Sequence, residues 1–354
     1  MKIIESDIII IGGGLTGLTL AYLLRSEGKK VLILEARKRL GGRIFTKYQN
    51  GFAPQEMGAT WLGKQHTALI NLLKELNLGV FEQKLGDRAI YEPISTSPPQ
   101  LVSLPPNNDP SFRIKGGTSM LIQALQKQLS PDYILLDQIV KSIHEEGGDM
   151  MVKTETQDFK SSIIISTLPP FLLRSTIRIS PSLPDSFISI ASQTHTWMGE
   201  SIKVSLTYKS PFWRAKELSG TIFSNVGPIP EMYDHSDFED STFALKGFLN
   251  GAYFSITKVE RLELIMVQLE KYFGAEARCF LAYEETVWRK EIFTFSDYAN
   301  PVLPHQNNGN PIFQLPYLNG KFYVAGAETA NYSPGYMEGA VRSAQFVFGQ
   351  IVGN

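Results

Sequence analysis

The run Ile8-Ile9-Ile10-Ile11 breaks directly into Gly12-Gly13-Gly14-Leu15-Thr16-Gly17, and no other segment constrains the fold as tightly. Four β-branched residues with no polar interruption are the pattern of a strand buried on both faces of a parallel sheet. Apolar residues then recur at helical spacing (Leu18, Tyr22 and Leu23, or Ala21 and Leu24), and Gly28 makes a natural stop. Residues 30–34 read as a second strand with Glu35 at its carboxyl end. Each piece has a physical task. Gly12 permits a tight turn, Gly14 lets backbone amides approach a pyrophosphate, and Gly17 lets helix and strand pack closely. The helix N-terminus at Leu15 and Thr16 offers partial positive charge to phosphates. Glu35 stands where an acid can accept both hydroxyl hydrogens of an adenosine ribose. GxGxxG alone is a weak signal, but strand, helix and acid in this order predict a dinucleotide site.

An acid at Glu35 disfavours a 2′-phosphate, which leaves FAD or NAD rather than NADP. Ala36 and Arg37, then Arg39-Leu40-Gly41-Gly42-Arg43, extend the motif beyond what NAD needs. The two glycines let a loop run against the dinucleotide, and the arginines can neutralise its phosphates. Ordinary surface charge remains a second reading for Arg37 and Arg39.

The 354 residues suffice for two modest domains or one large one. With 34 basic against 35 acidic residues, the charge balance predicts neither a nucleic-acid footprint nor a polybasic membrane patch. A single cysteine, Cys279, excludes an internal disulfide and any multi-cysteine metal site, and makes a reducing, cytoplasmic setting the default. The five histidines show no metal-ligand spacing, so no metal is expected. No apolar run reaches the length of a membrane span.

From Gly12 onward the chain resembles the flavin-containing amine oxidase family, which includes monoamine and polyamine oxidases. The segment Glu56-Met57-Gly58-Ala59-Thr60-Trp61-Leu62-Gly63 is similar to the one that runs beside the isoalloxazine ring. Gly116-Gly117-Thr118-Ser119 resembles the family's second glycine pair, and Ser166-Thr167-Leu168-Pro169-Pro170 the turn closing the nucleotide domain. Ser201-Ile202-Lys203-Val204 looks like the family's lysine segment, and Trp288 like its flavin-side tryptophan. Gly326-Ala327-Glu328-Thr329-Ala330 and Gly335-Tyr336-Met337-Glu338-Gly339-Ala340 resemble its C-terminal flavin motif.

The resemblance implies an α/β fold: a discontinuous, Rossmann-like FAD-binding domain (1–80, 113–192 and 291–354) and a smaller α+β substrate domain with a mixed sheet (81–112 and 193–290). It places Ile139, Thr167, Gly326, Ala327 and Ala340 against FAD. Glu328 would bind the ribityl chain or pyrophosphate, and the Met337 amide would reach the flavin O2. Trp61 and Trp288 are flavin neighbours or core aromatics.

Three departures carry expectations of their own. Family members that attach FAD covalently use a cysteine shortly after the Trp288 equivalent; here that place holds Asp297, so FAD is expected to be non-covalent. A helical segment before the second glycine pair is replaced by residues 91–113, which read as loop. The substrate cavity is therefore smaller, more open, or closed by a second copy in a homodimer. The C-terminal membrane helix of the outer-membrane enzymes is missing, since the chain stops at Asn354.

Periodicity predicts further elements. Residues 66–78 form an amphipathic helix stopped by Gly79, and Thr118 caps a helix to about Leu129. Residues 133–143, 150–154 and 163–166 read as strands, and 259–273 as a helix ending at Gly274. A last strand spans 322–325, and a last helix 336–351.

For chemistry, Ser201, Lys203 and Ser205 share one face of a strand. If that face lines the cavity, the Lys203 ammonium sits near the flavin N5 through a water and stabilises the negative charge of oxygen reduction; a solvent-facing lysine is the other reading of the spacing. By the resemblance, Tyr336 forms one wall of an aromatic cage and Tyr298 the other, with a rim tyrosine hydrogen-bonded to backbone as the alternative for Tyr298. His195 and Trp197 line the substrate entrance or are structural. Glu231, Asp234, Asp237, Glu239 and Asp240 read as a solvated loop that could steer a cation. The expected reaction is FAD-dependent oxidation of a small-molecule amine to an imine and then an aldehyde, the hydride equivalent passing to N5, with O2 as acceptor and H2O2 as product. A flavin-dependent desaturase or dehydrogenase of a lipophilic molecule, and a flavoprotein scaffold or sensor without turnover, remain as alternatives.

Overall fold

The computed structural model describes residues 3–215 and 217–353. Met1, Lys2 and Asn354, the ends of two of the expected domain segments, lie outside it, as does Lys216.

The strand Ile4–Ile11 sits at the centre of an eight-stranded sheet. It pairs in parallel with Val31–Leu34 on one side and Asp158–Ser166 on the other. Phe322–Val324 adds to Asp158–Ser166, also in parallel. Side chains alternate along a strand, so Ile8 and Ile10 enter one core and Ile9 and Ile11 the other. The first core holds the helix Leu15–Leu24 and the C-terminal helix Met337–Val352; the second holds Leu173, Phe187 and Phe313. Complete burial of each isoleucine contributes roughly 1.5–3 kcal/mol. Gly17 makes the close helix–strand contact possible, since a Cβ there would lie 2.1 Å from the Gly12 carbonyl oxygen.

A second, seven-stranded sheet has Ile202–Tyr208 between Ala282–Val287 and Phe243–Leu249, all antiparallel. It continues through Glu231–Asp234 and Ile222–Ser224, and the latter pairs in parallel with Arg88–Glu92. The sheet is therefore mixed. The helix Lys258–Phe273 covers it with Ile265, Met266, Leu269 and Phe273, begun by a Thr257–Glu260 capping box and ended at Gly274 with φ +84°. The architecture is α/β, as expected.

Several local expectations are corrected. The strand expected over 133–143 is two, Ile134–Leu135 and Val140–Glu146, because Asp137 adopts φ +57° and the halves join different partners. The stretch 91–113 is not all loop: Gln100–Ser103 pairs with Arg88–Glu92 at the sheet edge, and Phe112–Ile114 with Val80–Glu82. Backbone pairing there outweighs the turn-rich composition. The helix Thr67–Glu75 ends through Asn77 at φ +55°, not Gly79, with Leu78 N–H returning to the Leu73 carbonyl. Thr118 precedes the helix Ser119–Lys127 without capping it by its side chain; the Glu56 carboxylate accepts the Thr118 N–H instead.

Candidate active site

The register of the first sheet brings Gly12, Glu35 and Thr167 to adjacent positions, just beyond the carboxyl ends of three parallel strands. A cavity of about 760 Å³ opens there and runs to the second sheet. Its nucleotide end is lined by Gly12, Gly14, Leu15 and Thr16, then by Glu35, Ala36, Arg37, Gly42 and Arg43. Gly12 and Gly42 have φ +106° and +56°, and the first turn of the helix carries neither a side-chain cap nor an acid. The helix terminus is thus open towards the cavity. Glu35 accepts the N–H groups of Gly13 (2.7 Å) and Arg37 (2.9 Å), which hold its carboxylate in place. Ile139, in the kink that splits the expected strand, and Thr167 line the same region. These features suit a dinucleotide: an uncapped helix end, a fixed acid, and two glycine turns whose missing side chains leave room.

Further along, Gly58, Ala59, Thr60, Trp61, Trp288, Ala327, Met337 and Ala340 line the cavity, with Lys203 and Tyr336. The Trp288 indole N–H donates to the Met57 carbonyl (2.8 Å). Met57 itself is buried away from the lining, as are Gly17 and Gly326. Glu328 also lies outside the lining. Its fully buried carboxylate receives both ends of the Arg43 guanidinium and the Trp197 N–H (3.1 Å), so it positions Arg43 rather than facing the cavity. Burial opposes the charge on Arg43, and Glu328 outweighs it.

Lys203 lies in Ile202–Tyr208, a strand buried over its whole length, so the solvent-facing alternative is ruled out by burial. Its ammonium donates to the Gly58 carbonyl and to Thr60 Oγ1 (3.4 Å), and stands 4.7 Å from the Phe248 ring. Burial, opposed by Glu56, lowers its pKa to about 8. Ser201 lines the cavity, whereas Ser205, on the same face of the strand, is buried outside the lining.

The expected facing pair of phenols does not form. The Tyr298 hydroxyl accepts the Thr196 N–H (2.8 Å), and its ring packs against Phe171, Phe295 and His195, outside the cavity. The backbone hydrogen bond decides its place. Trp197 stands beside Tyr336 instead, ring centroids 5.6 Å apart, with His305 stacked on Trp197 at 3.8 Å. Gly335 permits this approach, since a Cβ there would lie 2.7 Å from that of Trp197. His195 is structural, between Tyr298 and the His305 N–H.

The acidic stretch is not simply a solvated loop. Asp234 is buried against Trp213 and Arg214, Asp237 and Asp240 are held by Ser241 and Arg214, and Glu231 lines the cavity. A neighbouring cavity of about 410 Å³ shares Met198, Ser201, Glu231 and Phe248 with the first. Sequence reasoning missed Lys246, which is 0% exposed and hydrogen-bonded to Thr60 Oγ1. A charge inside the apolar run Phe243–Leu249 was the signal that could have found it. Among the described residues, no group of three metal-ligating side chains occurs and no helix is long and apolar enough to cross a membrane.

The parallel strands at the centre of the first sheet thus end on a glycine-lined cavity, and the second sheet sends a buried lysine into it. Residues 15–93 and 96–347 match the family model of flavin containing amine oxidoreductases, and the chain belongs to that family, as an oxidoreductase acting on amines. It is 24% identical to amine oxidase [flavin-containing] B of Sus scrofa, over 96% of this chain and 85% of that one. It is also 24% identical to a probable flavin-containing monoamine oxidase A of Dictyostelium discoideum, over 95% of both. Among solved structures, putrescine oxidase bound to putrescine superposes with a TM-score of 0.86 at 23% identity over the whole of both chains. Cyclohexylamine oxidase from Brevibacterium oxydans gives 0.85 at 20% identity, covering 99% of this chain and all of that one.

Proposed function

We propose that the protein binds FAD non-covalently and oxidises a small-molecule amine to an imine, which water hydrolyses to an aldehyde, with O2 reduced to H2O2. The observation that carries this reading is one continuous cavity, glycine-lined at one end and holding Lys203, Tyr336 and Glu231 at the other. Bound FAD would supply the redox chemistry, accepting a hydride equivalent from the amine and passing two electrons to oxygen.

The chain's own residues bind and orient. The helix Leu15–Leu24 faces the pyrophosphate with its open N-terminus, Glu35 the adenosine ribose, and Arg43, held by Glu328, the phosphates. Gly58, Ala59 and Thr60 flank the flavin, and the Met337 amide opens the last helix beside it. Cys279 is exposed and outside the cavity, which favours non-covalent attachment. The Tyr336 and Trp197 rings orient the amine through their π faces. Glu231 draws a cationic amine inward, which favours amine oxidation over the dehydrogenation of a lipophilic neutral molecule. The Lys203 ammonium provides a fixed positive charge for the anionic products of oxygen reduction. The division into 1–80, 113–192 and 291–354 against 81–112 and 193–290 is part of this proposal, as is a cytoplasmic setting.

An absorption spectrum of the purified protein, followed by anaerobic titration with an amine panel, tests the reading. Flavin bands should bleach with amine and return on admitting air, with peroxide formed. Acid precipitation should release the pigment. Bands that no amine bleaches, or pigment left in the pellet, would overturn the reaction or the attachment respectively.

A further inference from the structure

Two lysines meet at this site, Lys203 in the lining of the cavity and Lys246 buried behind it. In the second sheet, Lys203 and Ser205 face Phe248 and Lys246 of the adjacent strand. Lys246 is 0% exposed and Lys203 5%. Neither forms an ion pair among the described residues. Both amines donate to the same hydroxyl, Thr60 Oγ1, which itself donates to the Gly58 carbonyl (3.0 Å), and Lys203 donates to that carbonyl too. The two amines therefore meet at one hydroxyl, both buried.

A charged Lys203 has three protons, of which the Gly58 carbonyl and the Thr60 hydroxyl take two, leaving the third for a neighbouring lone pair such as that of the Lys246 nitrogen. A nitrogen accepts only when it lacks its third proton. The surrounding charges agree. Glu56, the acid that faces the pair from the strand Gln55–Glu56, is committed to the Thr46 hydroxyl (2.8 Å) and the Thr118 N–H. Arg113 and His235 approach from other elements, and Glu231 stands one residue row away beyond Phe248. Glu284, opposite Ser205, is taken by Lys47. Two adjacent buried ammonium groups beside Arg113 would be strongly repulsive.

We propose that Lys203 and Lys246 hold a single proton between them, with Lys246 an uncharged positioning residue whose nitrogen keeps the charge on Lys203. Burial and Lys203 push the Lys246 pKa well down, in accord with this. The test rests on flavin lying beside Lys203, as proposed above.

The visible spectrum of flavin-loaded protein is followed from about pH 6 to 10 in the wild type and in Lys203→Met, Lys246→Met, Lys246→Gln and Lys246→Arg. A spectral transition should appear in the wild type and vanish in Lys203→Met. Lys246→Met removes the acceptor and should move the transition down by about one pH unit, a tenfold change in proton affinity. Lys246→Gln offers a carbonyl acceptor and should restore it, while Lys246→Arg adds a permanent charge and should move it furthest down. Packing damage would displace Gln as much as Met. An upward move in Lys246→Met would mean two charges in the wild type and overturn the proposal; so would a Gln variant displaced like Met, or a wild type without a transition. If Lys246→Met does not load, the Gln and Arg variants decide it. Protein that binds no flavin at all fails the cofactor reading instead.

Discussion

Arg43 and Glu328, one following the second glycine turn and the other in the C-terminal motif, meet as a two-point ion pair with Nη2 to Oε2 at 2.8 Å. The pair also grips Trp197, whose carbonyl accepts from Arg43 (3.1 Å) and whose N–H donates to Glu328 (3.1 Å). Removing one partner of a buried pair costs about 3–5 kcal/mol, and Arg43 retains some solvent, so the lower end applies. Glu328→Gln should therefore lower the melting temperature and weaken flavin retention together. Thermal melts with and without added FAD would show this; an unchanged melting curve would mean the pair is idle.

Lys203→Met should slow reoxidation by oxygen far more than reduction by amine, because the charge acts on developing anions of oxygen rather than on the bound amine. Stopped-flow measurement of the two half-reactions separates them. Equal slowing of both would contradict the role.

The two tyrosines should behave differently. Tyr336→Ser removes a ring from the cavity and should reduce amine turnover with flavin still bound, and Trp197→Ala should do the same. Tyr298→Phe removes only the hydroxyl that holds the Thr196 N–H, so its effect should appear in stability more than in the amine KM. Steady-state kinetics beside melting curves make the comparison.

Stability should depend on pH through Lys203. Its folded pKa of about 8 lies below the ordinary 10.5. Between those values the unfolded chain binds more protons, so stability rises with pH across that window and the burial penalty is fully felt below it. The penalty is on the order of 3 kcal/mol. Subtracting the pH–stability curve of Lys203→Met from that of the wild type isolates this group; a flat difference between pH 8 and 10.5 would refute it.

Much of the nucleotide end was legible because its signals are local. Ile8–Ile11 is buried on both faces, Gly17 cannot accept a Cβ, and Glu35 follows the second strand, all as spacing alone suggests. Lys203 was legible only through the motif around it, since strand alternation tells which residues share a face but not which face is covered. Residues 91–113 misled because edge pairing with Arg88–Glu92 does not show in turn-rich composition. Tyr298 sits at the expected spacing from Trp288, yet a backbone N–H from a distant loop captures its hydroxyl.

The sequence by itself determined where the backbone must turn tightly, which strand is buried and which acid follows it, because steric freedom and periodicity act over a few neighbouring residues. Tertiary structure alone decided that Glu328 holds Arg43 in place, that Trp197 rather than Tyr298 stands beside Tyr336, and that Lys246 shares Thr60 with Lys203. Those meetings depend on sheet register and on burial, which set the worth of a charge by what surrounds it rather than by what precedes it in the chain.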